Sequence, residues 1–115
     1  MSGVLAAFLP FDVKGLNIAI QRPSTYVNNQ ALSASSTNET PPAGANWIKV
    51  TSDGDTYMTW DGSTVPVVPA GAVTNGAAPG RIVGSTPTVF EIAGLSGPFK
   101  FISAKTGYIT FEYGS

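Results

Sequence analysis

Three aspartates, Asp53, Asp55 and Asp61, lie close together in the chain beside Gly54 and Gly62. Acidic residues in a glycine-bearing loop are the raw material of a calcium site. Calcium, however, takes about six to eight oxygens, and an EF-hand loop needs its glycine and closing glutamate at fixed positions. Neither spacing occurs here, and Asp-Gly between β-type runs is a turn signal, because Gly takes positive φ and Asp tolerates it. Glycoside hydrolysis needs two carboxylates facing one cleft. The acids are scattered singly, and only Glu91 and Glu112 would approach each other through strand pairing. An ion pair with Lys100 is the simpler expectation for them. The chain contains no His and no Cys. A serine nucleophile therefore has no base, and a zinc ion would have only carboxylates to bind. Gly76 to Gly84 (GAAPGRIVG) matches neither a phosphate loop nor a dinucleotide fingerprint. Asn38-Glu39-Thr40 has only the form of a glycosylation acceptor. The expectation is a protein that is not an enzyme and carries no metal and no cofactor.

Two other groups of residues have chemistry of a different kind. Trp47, Tyr57, Trp60, Tyr108 and Tyr113 could stack on sugar rings. Trp60 and Ile48 fall at core parity, whereas Tyr57 and Tyr108 fall on the opposite parity and are the candidate glycan or partner contacts. The N-terminal run Val4 to Phe11 (VLAAFLPF) is apolar and uncharged. No basic residue precedes it, Pro10 interrupts it, and it is too short to span a bilayer, so it is not read as a secretory signal or an anchor. Val4, Leu5, Phe8, Leu9 and Phe11 are instead candidate protein-interface residues, on an arm that either packs as a first strand or docks on a neighbouring subunit. Each large side chain buried there contributes about 1.5–3 kcal/mol.

These residues need a scaffold, and the chain supplies β-type runs. No long stretch holds a 3.6-residue period free of Gly and Pro. Leu16, Ile18 and Ile20 alternate with Asn17, Ala19 and Gln21, and Tyr108 to Tyr113 (YITFEY) alternates cleanly. Ile48 and Val50 face Met58 and Trp60 across Asp53-Gly54, which reads as a hairpin. Lys100 to Tyr113 reads as a second hairpin. Val65 to Val68 (VPVV) reads as an edge or irregular strand because Pro66 has no N–H to donate. Ile82-Val83, Thr88 to Ala93 and Phe99 to Ser103 complete the strands. Residues 33–44 read as a polar surface loop or crossing segment, and Pro69 to Gly80 as a loop.

With 115 residues the chain forms one domain. The expected fold is all-β: a single-domain antiparallel β-sandwich or jelly roll of about eight short strands with an apolar N-terminal arm. The arm or first strand is residues 1–14, and the β domain residues 15–115. Six basic and seven acidic residues give a net charge of −1. With no basic stripe or polybasic patch, the expectation is no nucleic-acid partner and no membrane partner. So few charges also give little colloidal repulsion, as suits a component of an assembly.

From Ala45 to the C-terminus the chain resembles small all-β structural proteins of tailed-bacteriophage virions, of the capsid cement or decoration type. The likeness lies in the strand Asn46 to Val50, the run DGDTYMTWDGS, the Pro-Gly loop, and the ending PTVFEI, FKFIS and TGYITFEY. The resemblance implies a protein without catalytic residues that clamps neighbouring capsid subunits. Its partners would be the major capsid protein or other virion proteins, and it would form a homo-oligomer, dimer or trimer. It would sit on the capsid surface of the virion after synthesis in the host cytoplasm. The alternative is a receptor- or glycan-binding β module of a phage tail fibre or spike, using Tyr57 and Tyr108.

Overall fold

The computed structural model describes residues 24–115. In chain order its strands are β1 (Tyr26–Ala31), β2 (Thr37–Glu39), β3 (Trp47–Ser52), β4 (Thr56–Thr59), β5 (Gly80–Ile82), β6 (Thr88–Glu91), β7 (Phe99–Ile102) and β8 (Tyr108–Gly114). Side-chain alternation accounts for most of them. In β3, Ile48, Val50 and Ser52 are buried; in β8, Ile109, Phe111 and Tyr113 are buried, as their parity predicts.

The pairing is antiparallel throughout. β1 pairs with β8, β2 with β7, β3 with β6 and β4 with β5, so the chain makes one long two-stranded ribbon. Two more pairings, β3 with β8 and β4 with β7, roll that ribbon onto itself. Among the described residues two four-stranded sheets result, ordered β1-β8-β3-β6 and β2-β7-β4-β5. This is the winding of an eight-stranded jelly roll. The core between the sheets holds Ile48, Val50, Met58, Ile82, Ile92, Phe99, Phe101, Ile109 and Phe111. Phe101 and Phe111 meet across it with ring centroids 5.4 Å apart.

The winding corrects both expected hairpins. β3 and β4 lie in different sheets, and so do β7 and β8. The turns at Asp53-Gly54 and around Gly107 are corners that carry the chain from one sheet to the other. Ile48 and Val50 look at Met58 from the opposite wall of the core, whereas a hairpin would place all three on one face of one sheet. Val65 to Val68 is loop rather than strand. The expected strand at Leu16 to Ile20 lies outside the described residues. In return, two strands appear that apolar alternation does not signal, β1 and β2.

Those two strands are held by a polar core of their own. Glu39, at the end of β2, is 2 % exposed. Its carboxylate accepts hydrogen bonds from Asn28 Nδ2 at 2.6 Å, Gln30 Nε2 at 2.6 Å and the Tyr113 hydroxyl at 2.7 Å. Asn28 and Gln30 occupy the inward parity of β1, opposite Phe111 and Ile109. A buried carboxylate is tolerated when its lone pairs are satisfied, and here three donors from two strands do so.

Candidate interaction surface

Every described aspartate is engaged in holding a turn. Asp53 Oδ2 accepts from the backbone N–H of Tyr108 at 2.8 Å, tying the β3–β4 corner to the start of β8. Asp55 Oδ1 accepts from Gly84 N at 2.8 Å and its Oδ2 from Arg81 Nη2 at 2.6 Å. The Gly84 N–H first, and then the Arg81 guanidinium, hold the Asp55 carboxyl below its usual range. Asp61 accepts from Ser63 N at 3.0 Å, Thr64 N at 2.8 Å and the Thr64 hydroxyl. That hydroxyl, followed by the two N–H groups, lowers the Asp61 carboxyl to about 2. These are turn-capping carboxylates, and among the described residues no group of three acids is placed to hold a metal ion.

The glutamates are likewise apart. β6 and β8, which carry Glu91 and Glu112, are separated by β3. Glu112 lies 3.9 Å from Lys49, its direct cross-strand neighbour, and not beside Lys100. Lys100 instead donates to Asn38 Oδ1 at 3.1 Å.

The aromatic residues do not form one platform. Tyr108 is 60 % exposed at the start of β8, on the outer face of the first sheet. Tyr57 is half-buried on the outer face of the second sheet, between Ile102 and Arg81 in register. The two candidate contacts therefore look in opposite directions. Trp47 lies on the outer face of the first sheet over Gly114, at the far end of β8 from Tyr108. Trp60 is wedged between Phe90 and Phe99, with centroids 4.9 Å from each, and closes one end of the core. Tyr113 is buried on Glu39. The candidate interface residues Val4, Leu5, Phe8, Leu9 and Phe11 lie outside the described residues.

The surface that stands out is one pole of the roll. The β2–β3, β4–β5 and β6–β7 connections all meet there, as does the start of β1. Gly97 shows how closely they pack. A Cβ on it would lie 2.7 Å from Pro41 Cδ, and one on Gly62 would lie 3.1 Å from the Gly97 carbonyl oxygen. Glycine at both positions, with φ of +71° and +85°, lets three loops converge.

This pole is almost free of charge. Residues 40–46, 62–80 and 92–98 contain no Asp, Glu, Lys or Arg. The one charged side chain in its loops, Asp61, is occupied in its own turn. Val65 and Val67 are 59 % and 63 % exposed, and Val73 and Leu95 are exposed to a lesser degree. A groove of about 380 Å³ runs beside Trp60, Ala77 and Pro79, and a second of about 450 Å³ lies between Pro42 and Leu95. At the opposite pole the corners carry Asp53, Asp55 and Lys105, and the outer sheet faces carry Lys49, Arg81, Glu91, Lys100 and Glu112. Among the described side chains, the loops of this end carry only Asp61, and Glu91, in register with Trp47, stands at its rim.

Reading Val65 to Val68 as a strand concealed this surface. The signal that reveals it is the run without charge from Gly62 to Gly80, broken by Pro66, Pro69 and Pro79. Prolines exclude a central strand, and the long uncharged loop keeps its valines in solvent. Comparison with protein-family models, curated proteins and solved structures returns no match for the chain.

Proposed function

We propose that this chain is a non-enzymatic structural protein of a bacteriophage virion, of the cement or decoration type, which stabilises the capsid shell by burying surface against other proteins of the particle. The charge-free pole is the observation that carries this reading. It presents exposed valines on the long loop between β4 and β5, a surface suited to being covered by protein. The fold supports the same reading by analogy, because jelly rolls recur in viral capsid domains, although a fold alone does not assign a function. The described aspartates are engaged in turns and Glu39 in the β1–β2 edge, which supports a structural use of these carboxylates. The mechanism is additive. Each copy that binds the assembled shell and not its separated subunits shifts the equilibrium toward the shell by mass action. The glycan-binding alternative requires neighbouring exposed rings, and Tyr57 and Tyr108 face opposite ways.

The test is the composition of particles. Gradient-purified particles of the phage that encodes the chain should contain it in a fixed ratio to the major capsid protein. Particles lacking it should release DNA at lower temperature. Its absence from washed particles would overturn the reading.

A further inference from the structure

We propose that Asn75-Gly76, in the long loop between β4 and β5, is a site of spontaneous deamidation, where the Asn75 amide is lost as ammonia and a carboxylate takes its place. The chemistry goes beyond the virion reading and does not depend on it. Its consequence, a new charge in the charge-free pole, rests on that reading.

The reaction needs the backbone nitrogen after the asparagine free to attack the side-chain carbonyl. Among the described residues the Gly76 N–H makes no hydrogen bond, because the turn bond here comes from Ala77. Asn75 Oδ1 accepts from Ala77 N at 3.1 Å, which polarises the amide carbonyl and folds the side chain back along the Gly76 peptide. Nothing crowds the nucleophile: Gly76 has φ of +85° and open space for 4 Å around the place a Cβ would take. Both residues are exposed, so water and hydroxide reach them. Hydroxide removes the Gly76 amide proton, and the nitrogen's electron pair forms a bond to Asn75 Cγ. The Cγ–Nδ2 bond breaks, and ammonia leaves with a proton from water. Water then opens the cyclic imide at either carbonyl, which leaves aspartate or, with the chain running through the side chain, isoaspartate. Overall, water is consumed and an amide becomes a carboxylate and ammonium.

The other described asparagines are placed differently. Asn28, Asn29 and Asn38 lie within β1 and β2, with their side chains already bonded to Glu39, Thr110 and Lys100. Asn46 is followed by the bulky Trp47. The Asp-Gly pairs lack the leaving group, since an ionised carboxylate resists attack, and both aspartates are bonded into their turns. What sets Asn75 apart is also where it stands. Gly76 and Ala77 line the groove beside Trp60, and residues 62–80 contain no charge. A carboxylate at residue 75 would lose its water when another protein covers the loop, with no cation in the pole's loops to replace it. Deamidation therefore removes the free protein from its binding-competent form, while a covered copy, shut away from hydroxide, keeps its amide.

The experiment incubates the full-length protein at mildly alkaline pH and follows it by ion exchange and peptide mapping. A free peptide of residues 72–79 and the variant Asn75→Gln are run beside it. An acidic form of the parent should accumulate over days, with Asn75 converted to aspartate and isoaspartate, while Asn75→Gln stays unchanged. Conversion of Asn75 in the folded protein at less than about a tenth of the peptide's rate overturns the proposal. So does another asparagine converting first, or Asn75→Gln turning acidic as fast as the parent. The variant Asn75→Asp, shown to be folded by circular dichroism, tests the consequence. It should join particles about tenfold less than the parent. If Asn75 converts while Asn75→Asp joins particles at the parent's level, the chemistry stands and the covering of this loop by the shell fails. If Asn75 stays intact while Asn75→Asp is excluded from particles, the modification fails and the virion reading stands.

Discussion

At the scale of single residues, the hydrogen bond from Tyr113 to Glu39 ties the sandwich's edge to its core. The hydroxyl donates at 2.7 Å to a carboxylate that also accepts from Asn28 and Gln30. Bonds to a charged, buried acceptor contribute about 1.5–3 kcal/mol, so Tyr113→Phe should destabilise by about that amount in urea titrations. A change below about 0.5 kcal/mol would mean that Glu39 finds another donor. The same pair sets a pH dependence. Burial, and then the bond to Glu39, push the Tyr113 phenol above its usual value of 10. In the unfolded chain the phenol ionises near 10, so its contribution is complete below that pH and declines as pH rises toward the higher folded value. Between pH 8 and 11 the parent should therefore lose more stability than Tyr113→Phe, as read from urea midpoints. Equal losses would remove Tyr113 as the cause. Asp61 behaves in the opposite sense. Its carboxyl, held at about 2, supports its turn above the ordinary carboxylate range and releases it as pH falls toward 2. Thr64→Val should move the Asp61 carboxyl resonance's midpoint upward by NMR, because the Thr64 hydroxyl is the largest cause of the shift.

At the scale of elements, the corners matter more than the strands. At the charged pole the β5–β6 turn presses on the β3–β4 corner. A Cβ added to Gly84 would lie 2.9 Å from Gly54 Cα and 3.1 Å from Asp55 N, both of them backbone atoms. Gly84→Ala must therefore displace one connection, and should cost about 1–3 kcal/mol as overpacking does. Gly71, in the charge-free loop, has open space for 4 Å around the place a Cβ would take, so Gly71→Ala should be neutral within about 0.5 kcal/mol. Thermal melts of the two variants separate the cases, and equal midpoints would sink the corner's role. Corners are also where the sequence misleads. Asp-Gly announces a reversal but not whether the next strand joins the same sheet. That choice is made by distant partners, Tyr108 N for Asp53 and Gly84 N for Asp55. The strands β3, β4, β7 and β8 were legible because apolar side chains alternate along them. β1 and β2 were not, because the inward residues Asn28, Gln30 and Glu39 are polar and become core only by bonding one another. The exposed pole was half legible: its missing charge can be read directly, but the valines looked like strand until their loop was placed.

At the scale of the whole molecule, the distribution of charge makes the last prediction. Net charge is close to zero, yet the ionised side chains of the described residues are not spread evenly. Lys49, Arg81, Glu91, Lys100 and Glu112 occupy the outer sheet faces, and Asp53, Asp55 and Lys105 the far pole. The loops at 40–46, 62–80 and 92–98 have none. Contacts between charged faces are screened as the Debye length falls from about 14 Å to about 4 Å between 0.05 and 0.5 M salt. Contacts between uncharged apolar surfaces are not screened, and sulfate strengthens them by exclusion from the protein surface. Association through the charge-free pole should therefore hold constant between 0.05 and 0.5 M sodium chloride and tighten in ammonium sulfate. Measured by sedimentation, a dissociation constant within about twofold across the chloride series shows a contact made without ion pairs, as the pole would make. A tenfold weakening would place it on the sheet faces, with Lys49 and Glu112 the first residues to exchange. The salt series thus separates an apolar contact from an ionic one without altering a residue.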